Sequence, residues 1–61
     1  ISIDASQPYD EARQNAIADF ERVYLKALLA RHGGNVSQAA REAGIDRVYL
    51  HRLIRRHGVK D

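Results

Sequence analysis

Between Pro8 and Gly33 the chain runs through 24 residues that include neither glycine nor proline. Such a stretch predicts one long helix, roughly 36 Å from end to end at about 1.5 Å per residue. Pro8 suits a first helical position because its ring pre-sets φ. Gln7 stays outside, since a residue before proline avoids the helical region. Asp10 and Glu11 fall in the first turn, where carboxylates meet the positive end of the helix dipole, and Gly33 offers a left-handed stop.

On a wheel at about 100° per residue, Ile17, Phe20, Tyr24, Ala27 and Leu28 share one side. Ala16, Val23 and Ala30 widen that side in one direction, and Ala18, Leu25 and Leu29 in the other. The apolar arc covers roughly two thirds of the circumference, well past the stripe of about 100° that serves a helix with one neighbour. Two partners are therefore expected for this helix: its own domain and a second copy of the chain. The homodimer interface is placed at Ile17, Phe20, Tyr24 and Leu28. The rings of Tyr9 and Tyr24 are expected in the core or the interface.

Two shorter helices follow. Asn35 and Gln38 have capping-box spacing, in which Asn35 accepts an orphan amide and Gln38 reaches back to the cap. The second helix then covers Val36 to Ala43, and Gly44 ends it. Asp46 caps a third helix, Arg47 to His57, with Ile45 and Leu50 at the spacing of a hydrophobic staple. Gly58 closes that helix in the left-handed region, with Val59 placed for the accompanying apolar contact. Ala40 keeps the two helices close, Gly44 tolerates positive φ in the turn, and Ile45, Leu50 and Leu53 fill the angle between them. These constraints together spell a helix-turn-helix. The fold class is all-α: a three-helix domain in which a long dimerisation helix precedes a helix-turn-helix.

Length and charge agree with a small binding module. A 61-residue chain builds a thin core that ordinarily needs a disulfide, a metal or a second subunit. The absence of cysteine removes disulfides and thiolate zinc sites and leaves oligomerisation. The net charge of +2 is uneven: residues 1–30 hold five acids and three bases, residues 31–61 seven bases and three acids. No apolar run approaches the roughly 20 residues of a membrane-spanning helix, and no charged leader precedes an apolar signal core. A cytoplasmic protein with no membrane partner is expected. Residues 1–7 read as the remnant of a linker from a longer protein, and residues 8–61 as the domain.

The third helix carries the functional signal, because Arg47 to His57 holds four arginines and two histidines while the nearest acids are Asp46 and Asp61. With Leu50 turned inward, Val48, His51, Arg52, Arg55 and Arg56 span the opposite face, flanked by Arg47 and Tyr49. The N-terminal residues of a recognition helix reach base edges, and later ones meet phosphate. Arg47, Val48, His51 and Arg52 are thus the candidate base contacts, with arginine suited to guanine and valine to a thymine methyl. Tyr49, Arg55 and Arg56 are candidate phosphate contacts. Asn35, Ser37 and Gln38 join them at the start of the second helix, whose free amides favour an anion. Asp46 is assigned to capping, since its charge would repel phosphate. Double-stranded DNA is the expected partner. The alternative is a helical dimerisation or protein-interaction module that does not touch DNA.

Other chemistry finds little support. His51 and His57 lie six residues apart on different faces, with no cysteine or suitable carboxylate to complete a metal set. No serine has the neighbouring histidine that nucleophilic catalysis needs, and Gly33-Gly34 reads as a helix stop rather than a phosphate loop. No catalytic residue, metal or cofactor is expected, and the chain does not read as an enzyme.

The run Gly33-Gly34-Asn35-Val36-Ser37-Gln38-Ala39-Ala40-Arg41-Glu42-Ala43-Gly44-Ile45 is followed by Arg47 and Leu50 and preceded by Phe20-Glu21-Arg22 and Leu28-Leu29. It resembles the Fis-type domain that ends bacterial enhancer-binding activators of the nitrogen-regulatory C family. The resemblance extends over about residues 8–59. It implies a homodimer joined through the long first helix and bound to palindromic DNA. It also implies a parent response regulator with a receiver or sensory module and an ATPase module, and only through that ATPase a contact with sigma-54 RNA polymerase. Asp46 stands where members often carry asparagine or serine, and His51 departs from the usual basic or tyrosine residue.

Overall fold

A computed structural model describes residues 3–59 of the chain. Three helices follow one another: α1 (Tyr9–Arg31), α2 (Val36–Ala43) and α3 (Arg47–His57). Each packs on the other two, and the molecule measures 39 × 19 × 18 Å because α1 is far longer than its partners.

The start of α1 departs from expectation. Pro8 is not the first helical residue but the cap, with φ −56° and ψ 149°. Its extended ψ turns the chain into the helix, and its carbonyl accepts the Ala12 N–H at 2.9 Å. Proline has no side-chain acceptor, so no capping hydrogen bond forms, and Asp10 and Glu11 supply the favourable charge of the first turn instead. Upstream, the Asp4 carboxylate accepts from the Ser6 hydroxyl and from the Ser6 N–H. Those two bonds, the hydroxyl first, hold the Asp4 carboxyl below its ordinary range.

At the other end α1 stops at Arg31, one residue earlier than expected, and Gly33 and Gly34 both take positive φ (60° and 82°). Two consecutive left-handed residues reverse the chain within a few ångströms, which side chains bearing a Cβ resist. The Gly34 N–H returns to the Leu29 carbonyl at 2.9 Å.

The core is small and drawn from every element: Leu25, Leu28 and Leu29 of α1, Ala39 and Ala40 of α2, Leu50 and Leu53 of α3, and Val59 beyond it. Val36, Ala43, Ile45 and Ile54 pack on its edge. Ala39 and Ala40 are almost wholly covered, as a close helix crossing requires, and each buried leucine adds about 1.5–3 kcal/mol of transfer free energy. Leu28 was expected at a dimer interface. It is instead 8 % exposed and part of this core, because α2 and α3 dock on the side of α1 that carries Leu25 and Leu29. Tyr9 is not in this chain's core, being 78 % exposed at the head of α1.

Candidate nucleic-acid interface

The turn between α2 and α3 is built from local hydrogen bonds. The Asn35 Oδ1 accepts the Gln38 N–H at 3.1 Å and starts α2. The reciprocal half of the expected capping box is not made, because the Asn35 N–H already donates to the His32 carbonyl at 3.0 Å. Gly44 sits at φ 72° and ψ 29°, and the following Ile45 N–H returns to the Ala40 carbonyl at 3.0 Å. Only Gly44, Ile45 and Asp46 separate the two helices, within the 3–4 residue turn of a helix-turn-helix. One Asp46 oxygen, Oδ2, accepts the N–H groups of Val48 at 3.0 Å and Tyr49 at 3.2 Å, fixing where α3 begins. Its end is set by Gly58 at φ 62° and by Val59, whose N–H donates to the Ile54 carbonyl and whose side chain is buried.

With Leu50 and Leu53 committed to the core and Ile54 and His57 partly covered, the other residues of α3 face outward. Arg47, Val48, Tyr49, His51, Arg52, Arg55 and Arg56 are all exposed, Val48 by 60 % and Tyr49 by 51 %. Asn35, Ser37 and Gln38 are exposed as well. The two groups meet where Arg47 Nη1 donates to Ser37 Oγ at 3.3 Å, which joins the starts of α2 and α3 into one surface.

The arginines of that surface are not ion-paired among the described residues. The ion pairs among the described residues are Arg22–Asp19, His32–Glu42 and His57–Glu21, so none of the four α3 arginines is matched to a carboxylate there. A guanidinium row without counter-charges attracts polyanions, and arginine's planar fork suits both phosphate and guanine.

His57 turns the other way. Its Nε2 lies 2.9 Å from Glu21 Oε1, with the two side chains 8 % and 20 % exposed. This pair clamps the C-terminal end of α3 to the middle of α1, and sequence reasoning missed it. The signal was present on the wheel, where Glu21 falls between Leu25 and Leu28 on the inward side of α1. A carboxylate at such a position calls for a buried partner.

On the far side of α1, Ile17, Phe20, Val23 and Tyr24 are 41, 51, 67 and 38 % exposed. The Phe20 and Tyr24 rings stack with centroids 5.5 Å apart and planes 19° from parallel. Phe20, Val23, Tyr24 and Ala27 line a shallow apolar hollow with Asp19 at its rim. No helix among the described residues is long and apolar enough to cross a membrane.

Three helices with this turn and this exposed basic helix define a helix-turn-helix DNA-binding domain. The family model for bacterial regulatory proteins of the Fis family matches residues 16–57, more than two thirds of the chain, and the chain belongs to that family. No curated protein and no solved structure matches it. The family regulates by binding DNA, a role that requires no catalytic residue.

Proposed function

We propose that this domain binds double-stranded DNA sequence-specifically as a homodimer and is the DNA-reading part of a sigma-54-dependent activator. The observation that carries the reading is the row of exposed α3 arginines without carboxylate partners among the described residues, mounted directly after a helix-turn-helix turn. In the proposed complex α3 lies in the major groove. Arg47 and Arg52 read guanine, Val48 packs on a thymine methyl, and His51 meets a further base edge. Arg55, Arg56 and Tyr49 hold phosphates on one side, and Asn35, Ser37 and Gln38 hold them on the other, at the N-terminal end of α2. The exposed strip of Ile17, Phe20 and Tyr24 pairs with the same strip of a second copy, so that two reading helices address a two-fold symmetric site. Contact with sigma-54 RNA polymerase belongs to an upstream ATPase module of the parent protein.

The test is a titration of the chain with random-sequence duplex at two salt concentrations, joined to sedimentation equilibrium. Binding that weakens steeply with salt, by a species of twice the chain mass, is expected. A monomer that ignores DNA at low salt would leave a protein-interaction module as the better description.

A further inference from the structure

Asp46 has so far been only a cap, yet it uses half of its carboxylate for that task. Both capping bonds, from the Val48 and Tyr49 amides, end on Oδ2. Among the described residues Oδ1 has no hydrogen-bond partner, and Asp46 is exposed. The adjacent guanidinium does not neutralise it, since Arg47 Nη1 is directed to Ser37 Oγ. The two amide bonds hold the carboxylate against the first turn of α3. Oδ1 is therefore presented in a set direction from the leading end of α3, the end of a recognition helix that reaches base edges.

An ionised carboxylate accepts hydrogen bonds and donates none. In the major groove it matches the cytosine N4 amino group better than the adenine N6 amino group, which stands beside the N7 acceptor. It is repelled by the acceptors of thymine and guanine and by phosphate. We infer that Asp46 Oδ1 selects cytosine at one position of each half-site, beside the base read by Arg47. The inference rests on the groove placement of α3 proposed above. The same charge disfavours binding wherever no amino group meets it, so Asp46 exchanges general affinity for discrimination.

The experiment is selection of bound duplexes from a randomised pool by the unaltered chain and by Asp46→Asn. Asparagine caps a helix as well as aspartate, and equal thermal midpoints will verify that the fold is kept. The unaltered chain should enrich one cytosine per half-site by about five- to ten-fold, the lower part of the range for a base-edge contact. Asp46→Asn should lose that preference or shift it towards adenine, which asparagine reads through N6 and N7, while the guanine positions persist. Identical base preferences for the two proteins, or the lack of an Asp46-dependent cytosine, would overturn the inference and leave the groove placement standing. A pool from which neither protein enriches any sequence would overturn both.

Discussion

Replacing Phe20 by alanine separates the two faces of α1. Phe20 is 51 % exposed and outside the core, so about half of the 150–250 Å² that an aromatic side chain buries, roughly 75–125 Å², is available to a second copy. At about 25 cal/mol per Å² that area is worth about 2–3 kcal/mol. In a two-fold interface each copy contributes the same residue, and the loss doubles to about 4–6 kcal/mol. At about 1.4 kcal/mol per decade this weakens dimerisation by about 10³- to 10⁴-fold. Sedimentation equilibrium over a concentration series measures the constant, and thermal melting read at fixed protein concentration reports the fold. Leu28→Ala is the contrasting variant. It should cost about 2–5 kcal/mol of folding stability, a large part of the roughly 3–9 kcal/mol typical for this length. Equal dimerisation by the Phe20→Ala and unaltered chains would refute the assignment of this face.

Arg52→Ala should weaken binding to a selected site by about 1–3 kcal/mol while leaving random duplex nearly unchanged; an equal loss on both would reassign Arg52 to the backbone. Arg55→Ala should weaken all sequences alike and lower the slope of log affinity against log salt by about one unit, and an unaltered slope would count against a phosphate contact. His57→Ala leaves the Glu21 carboxylate without its partner in a largely covered position. It should lower folding stability by about 1–3 kcal/mol, read by urea titration, whereas a change within a few tenths would mean that water serves Glu21 as well as the imidazole does.

Features set by a few neighbouring residues were legible in the chain. Asn35, Gly44, Asp46 and Gly58 mark helix ends through amides two or three residues away or through positive φ, and the bounds of α2 and α3 follow from them. Errors arose where a second option competed at short range. Pro8 satisfies a cap as well as a first turn, and the Asn35 N–H had a backbone carbonyl nearer than the Gln38 side chain. The wide apolar arc of α1 did not mark where the face docked by α2 and α3 ends, because that limit depends on their docking direction; Leu28 fell within it. The outward set on α3 was legible because Leu50 and Leu53 orient the whole wheel. The Glu21–His57 clamp joins residues 36 apart, and its pairing needs the tertiary fold.

That clamp bears on operator spacing. Glu21 follows Phe20 immediately along α1, so the strut that braces the reading helix is rooted beside the ring proposed to meet the other copy. Two chains joined there would carry their reading heads on one stiff yoke, with little slack for adjusting their separation. Half-sites moved apart by a base pair would then have to be accommodated by twisting or bending the duplex, and the stiffness of the intervening DNA would become part of what the protein recognises.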